Sequence, residues 1–213
     1  MGDLFSIEAL EQMLYALPGI ILGFSLHEFS HAYAAHKLGD DTAKNMGRLT
    51  LDPVAHIDPV GFIMLILFHF GWAKPVPVNT RNFKHPKRDD NIVSIAGPIS
   101  NFLLAILLAG VIKLFYVFNA PDTFLVNIIT QVLVLGVVVN IGLGIFNLLP
   151  IPPLDGSHLL VNLLPTKYSN ILMEHYNTII IIMLVLMFTG VFGYVIGPAI
   201  NWALGIVFGI YGI

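Results

Sequence analysis

The chain has 213 residues, 56% hydrophobic and 11% charged, with a mean hydropathy of +0.83, which excludes an ordinary soluble domain and indicates a multi-pass membrane protein. A net charge of −3 gives no basic surface for a nucleic-acid partner. Without cysteine, disulfides, iron–sulfur clusters and thiolate-held metals are excluded, so any metal site must use His, Asp or Glu.

Asp3, Glu8 and Glu11 precede or open the first apolar run and no Lys or Arg does, the wrong sign for a signal peptide, so the first span is expected to be retained. Residues 12–36 carry one formal charge, Glu28, and are long enough to cross ~30 Å of hydrocarbon. Pro18 is expected to kink this helix or mark a local start, and Gly39 to end it. Residues 40–60 mix charges, Gly and Asp-Pro pairs, a composition for turns and short extended pieces. Residues 61–72 are apolar but too few to cross at ~1.5 Å each, so they are predicted to be re-entrant or interfacial. The following WAKPVPVN, with Pro75 and Pro77, reads as an extended edge segment. Such backbone is tolerated at membrane depth only under cover of protein or beside a wet cavity.

A second span is predicted over residues 91–118, with Lys113 reaching to the interface, and a turn over 119–122. Residues 123–154 contain no charge and form a third span ending near Leu149, where Pro150, Pro152 and Pro153 break the helix. A short segment, 156–164, and a polar stretch, 166–177, follow. Residues 177–213 would be ~55 Å long as one helix, so they are divided around 190–198 into two spans. The expected fold class is an all-α multi-pass membrane helix bundle of about five spans. A re-entrant, extended loop region separates the first two, in a single membrane-embedded domain over residues 1–213.

Eight of the ten Lys and Arg residues lie between Lys37 and Arg88, and Lys167 falls on the same side by helix parity, which makes that side cytoplasmic. If residues 61–72 do not cross, the ends of the first and third spans meet at one depth.

His27-Glu28-Phe29-Ser30-His31 is an HExxH pattern. On a helix the two His lie one turn apart on one face, so both imidazoles reach one tetrahedral Zn2+, and Glu28 stands beside them to take a proton from water. A carboxylate inside a membrane segment marks function by default. Two His need a third protein ligand. Asp155 stands past the third span at the depth of the two His; Glu174 is placed in a loop and Asp122 at the opposite face. Asp155 in Pro-Pro-Leu-Asp-Gly also reads as an ordinary turn residue capping the next helix.

Together these elements resemble the site-2 protease family of intramembrane metalloproteases, peptidase family M50. The resemblance runs through HEFSH, GRLTLDPVAHIDPVG, FGWAKPVPVN, AGPISN at residues 96–101 and NLLPIPPLDG, and is to the short bacterial branch without a PDZ or CBS domain. It implies one Zn2+ per chain held by His27, His31 and Asp155, Glu28 as catalytic base, and Asn147 near the substrate or oxyanion. Ser157-His158 departs from the expected small residue followed by Arg or Lys, and leaves His158 unassigned. His36 reads as an interfacial polar residue, and His56 and His69 carry no assigned role. Gly97, Ser100 and Asn101 suit helix packing, and Gly136, Asn140, Gly144 and Asn147 give the third span a small, polar face turned from lipid.

The expected activity is hydrolysis of membrane-spanning or membrane-anchored protein substrates within the bilayer, at the cytoplasmic side of the cell membrane. Extended strands at 50–51 and 76–79 would hold unwound substrate by strand addition, and polar residues between Asp40 and Asp58 would admit water. A homo-oligomer or a regulatory membrane partner is a further expectation. The alternatives are a metal-binding membrane transporter, with ligands spread through the membrane depth, and a proteolytically inactive homologue lacking a ligand or Glu28.

Overall fold

In the computed structural model, which describes residues 6–68 and 71–213, ten α-helices follow one another among the described residues. The first, α1 (Ile7–Lys37), starts where the Ser6 hydroxyl accepts the Ala9 N–H, and it runs on through Pro18. Pro18 therefore neither starts nor interrupts the span. After the helical turns α2 (Thr42–Asn45) and α3 (Pro53–His56) comes α4 (Pro59–Phe68), ten residues or ~15 Å, too short to cross.

The chain then turns back on itself. A Cβ on Gly61 would lie 2.2 Å from the Trp72 carbonyl oxygen, and one on Gly71 would lie 2.3 Å from the Gly61 carbonyl oxygen. Both positions admit only glycine at this spacing. Ile57 pairs with Ala73 in an antiparallel bridge, and the Lys74 N–H donates to His56 O at 2.8 Å. Entry and exit of the 57–73 loop are thus side by side, as the re-entrant reading required.

The long helices α5 (Pro86–Val117) and α6 (Phe124–Asn147) pack on α1 and on each other. Pro86 opens α5 at a position whose N–H has no intrahelical partner. Where α1 crosses α6, a Cβ on Gly19 would lie 2.5 Å from Gly136 Cα, so small residues let the two backbones touch. Ala105, Ala109 and Ile112 of α5, Val137 and Ile141 of α6 and Val207 of α10 (Val191–Tyr211) form the apolar core. Leu14, Leu22, Leu103 and Leu107 project outward, the faces expected against lipid.

Between α6 and α10 lie α7 (Gly156–Leu163), α8 (Thr166–Glu174) and α9 (Tyr176–Phe188). Among the described residues four helices, α1, α5, α6 and α10, are long and apolar enough to cross a membrane; counting the bent pair α8 and α9 as one span makes five. The bundle is all-α and multi-pass, as expected. The break expected around 190–198 falls at Gly190, which adopts a positive φ of 75°, and Pro198 lies inside α10. One correction applies to the last third. The polar stretch 166–177 is largely helix, and Glu174 ends α8 rather than sitting in a loop. Tyr168, Ile171 and Leu172 repeat at helical spacing there, a signal that its polar composition masked.

The strands expected at 50–51 and 76–79 do not form: among the described residues, pairing is limited to the Ile57–Ala73 bridge. Pro75 and Pro77 have no N–H. The Val76 N–H goes to Glu28 Oε2 and the Asn79 N–H to Asp40 Oδ2, so side chains occupy donors a ladder would need.

Candidate metal centre

Gly19 and Gly23 set α1 against α6, and in the later turns of α1 His27, Glu28 and His31 are buried, the two His bonded to Asn101 and Val93 of α5. The α6–α7 connection returns along the same end. It is drawn tight at Gly156, where a Cβ would lie 2.2 Å from Leu148 O, and it delivers Asp155 to the two His. Asp155 occupies the N-cap position of α7 but makes no capping bond. Its Oδ2 lies 3.1 Å from His27 Nε2 and its Oδ1 3.3 Å from His31 Nε2, while the two Nε2 atoms are 3.0 Å apart. Among the described residues this is the one His, Cys, Asp and Glu cluster whose donor atoms converge as a metal requires.

The protonation of the rings follows from their outer partners. His31 Nδ1 lies 2.8 Å from Val93 O, which only accepts, so Nδ1 carries the proton. His27 Nδ1 lies 2.7 Å from Asn101 Oδ1. That amide is oriented because Asn101 Nδ2 donates to Gly23 O and to Asn140 Oδ1. Asn140 Nδ2 in turn donates to Gly19 O and Gly136 O. His27 Nδ1 is therefore a donor too. Both Nε2 atoms then present lone pairs to each other and to a carboxylate, and Asp155 Oδ2, buried, receives no hydrogen bond despite its 3.1 Å approach to His27. One extra proton would relieve one of these contacts; a cation relieves all three.

The donor set fits Zn2+. Nitrogen and oxygen ligands on a tetrahedral zinc with bonds of ~2.1 Å stand about 3.4 Å apart, close to the 3.0, 3.1 and 3.3 Å found here. Space is kept by Gly97 of α5, where a Cβ would lie 2.4 Å from His31 Nε2 and 2.7 Å from His27 Nε2. Glu28, also buried, accepts the Val76 N–H on Oε2 at 2.9 Å.

Of the alternative third ligands, Asp122 bonds to Asn127 and Glu174 is exposed on α8; neither joins the cluster. Asn147 closes α6 and its Nδ2 donates to Leu143 O at 3.1 Å; it makes no hydrogen bond to the cluster. Asn101 and Gly97 had been read as packing residues; Asn101 orients His27 and Gly97 backs both imidazoles. Their AGPISN stretch was visible as part of the resemblance, without a role. His36 pairs with Asp41 at the end of α1. His56 is buried, with Nε2 2.8 Å from Thr50 O, and His69 lies outside the described residues. His158, whose own position is exposed, meets Asp90 Oδ2 at 3.3 Å, and Asn162 bonds the same oxygen, tying α7 and hence Asp155 to α5. That bond to Asp90 is the main reason the His158 pKa rises above its ordinary value.

The model of peptidase family M50 matches residues 15–191. The chain belongs to peptidase family M50. It is 39% identical over 200 residues to YwhC of Bacillus subtilis, whose name describes a zinc metalloprotease; the match covers 93% of this M50 chain and 91% of that protein. Rip2 of Mycolicibacterium smegmatis, named in the same terms, is 34% identical over 152 residues, covering 67% of this chain and 54% of Rip2. Rip2 of Mycobacterium tuberculosis is 34% identical over 166 residues, covering 70% and 59%. The M50 chain thus spans little more than half the length of the Rip2 proteins. No solved structure matches it. With the family and its apolar helices established, the chain is a site-2 protease-like zinc metalloprotease of a membrane.

Proposed function

We propose that this protease hydrolyses peptide bonds of membrane-spanning or membrane-anchored proteins, as in regulated intramembrane proteolysis, with His27, His31 and Asp155 holding one Zn2+ and Glu28 as the base. The observation that carries this reading is the convergence of three lone-pair donors from α1 and the α6–α7 connection beside a buried carboxylate. Zn2+ bound there supplies positive charge that acidifies a water and polarises the scissile carbonyl. Glu28 accepts the water's proton on Oε1, the oxygen that Val76 leaves free, and returns it to the leaving amine. Asn101 keeps His27 in the tautomer whose Nε2 faces the metal, the usual service of an outer partner to a histidine ligand. Asn147, at the end of α6, would donate to the substrate carbonyl after leaving Leu143 O, a role drawn from the family resemblance. A substrate helix hides its carbonyls in internal hydrogen bonds, so it must unwind locally before attack.

The test is cleavage of a panel of membrane-anchored proteins by purified enzyme, with and without chelator, alongside Asp155→Ala. Chelator is expected to abolish cleavage reversibly, and Asp155→Ala to lose zinc and activity together. An Asp155→Ala variant with full zinc and full activity would refute the ligand set.

Residues 1–213 act as one membrane-embedded domain in this reading, supported by the core shared among α5, α6 and α10 and by the packing of α1 on α5 and α6. The site faces the cytoplasm of the cell membrane, on the charge asymmetry of the loops. Cysteines introduced at Lys84 and Lys167 are expected to label from the cytoplasmic side and one at Asp122 from the other. Labelling of the first two from opposite sides would sink that orientation.

A further inference from the structure

Residues 74–79 run as an extended strap beside Glu28, and each of their polar anchors has a named partner. Pro75 and Pro77 lack an N–H, so Val76 offers the single backbone donor of residues 75–77, and it points at Glu28 Oε2 from 2.9 Å. The far end is tied by Asp40, whose Oδ2 accepts the Asn79 N–H and whose Oδ1 accepts the Asn82 side-chain amide, both at 2.7 Å. Burial works against the Asp40 charge, but the hydrogen bonds from Thr42, Asn79 and Asn82 outweigh it and hold its pKa below the ordinary value.

The near end is tied by Arg48. This cation is 6% exposed and makes no ion pair with a carboxylate among the described residues, an expensive state for a buried charge. Its two terminal nitrogens donate instead to Pro75 O at 3.3 Å and Lys74 O at 2.5 Å. His56, 1% exposed, directs the guanidinium. Its Nε2 must donate to Thr50 O, so its Nδ1 accepts from Arg48, 3.4 Å away. The two carbonyls that Arg48 grips immediately precede the Val76 N–H.

We propose that Arg48 is a positioning residue for peptide hydrolysis: by gripping the Lys74 and Pro75 carbonyls it sets the Val76 N–H that fixes one Glu28 oxygen and leaves the other for proton transfer. This role rests on the reading of Glu28 as the base. It accounts for a buried cation in the GRLT segment that touches none of the candidate ligands.

The full chain in detergent provides the test, with zinc content, kcat and KM measured for Arg48→Gln, Arg48→Lys and Val76→Pro, the first and last also on a Glu28→Gln background. Arg48→Gln and Val76→Pro are each expected to keep about one zinc per chain and to lower kcat about tenfold or more, with KM within about twofold. Arg48→Lys should recover most of kcat, because an ammonium still donates to carbonyls. On the Glu28→Gln background neither substitution should lower the residual rate further, since the group they position is already gone. Wild-type kcat in Val76→Pro, or equal losses with and without Glu28, would overturn the inference while leaving Glu28 as the base. Cleavage by Glu28→Gln alone at the wild-type rate would instead overturn the reading beneath it. Should Arg48→Gln fail to fold, Val76→Pro decides, since it leaves Arg48 in place.

Discussion

Glu28→Gln will insert, fold and retain about one zinc per chain, yet cleave membrane substrates at least ~10²-fold more slowly than the wild type, the usual scale for removing general acid–base help. The side chain keeps its size, and its remaining carbonyl oxygen still accepts the Val76 N–H at the place where Glu28 Oε2 now does. What disappears is a group that takes a proton. Zinc retention follows from the geometry, because the converging donors belong to His27, His31 and Asp155, and Glu28 is not among them. The comparison needs metal analysis and single-turnover cleavage of one substrate by both forms. It separates a working protease from a metal-handling or proteolytically inactive protein, in which neither form would cut. Wild-type cleavage by Glu28→Gln would remove the base from the mechanism.

Gly97→Ala will cost the protein its zinc, although it adds one methyl group to a helix at a position where Ala is the better helix former by about 1 kcal/mol. The new Cβ would stand 2.4 Å from His31 Nε2 and 2.7 Å from both Nε2 and Cε1 of His27, distances at which something must move. The rings have little freedom to yield, since their Nδ1 atoms are bonded to Val93 O and Asn101 Oδ1. Either the imidazoles tilt and their lone pairs diverge, or α5 shifts away from α1. Both routes break the three-way convergence. Zinc content is expected to fall well below one per chain and zinc affinity by at least about tenfold, with α5 still folded. Gly193→Ala in α10, where a Cβ meets nothing within 4 Å, is the matched control and should bind zinc normally. A Gly97→Ala protein with full zinc and full activity would show that α5 does not shape the site.

Glycine and asparagine contacts of this kind are what a single sequence conceals. His27, Glu28 and His31 were legible because their relation is local: four residues of helix put both imidazoles on one face whatever surrounds them. The spans were legible because crossing hydrocarbon requires a long apolar run, and the shortness of residues 61–72 pointed to a re-entrant or interfacial element for the same reason. Asp155 was reached by matching depths across the bilayer and by the family resemblance, and could equally have been a cap; the tertiary structure turned its carboxylate to the histidines. Asn101 lies 74 residues from His27 and Val76 lies 48 from Glu28, so nothing in the local pattern announced either bond. The strands at 50–51 and 76–79 were misread for the same cause, because composition shows which segments are extended but not where their N–H groups point. By itself, then, the sequence determined that this chain is a membrane bundle with a zinc-type pair of histidines and a carboxylate beside them, properties set by helical period and apolar length. Only the packing of α1 against α5 and α6, with residues 74–79 laid beside α1, decided which lone pairs of His27 and His31 converge, which glycine makes room beside them and which amide holds Glu28. Those are distances between residues far apart in the chain, and they exist only once the helices are in contact.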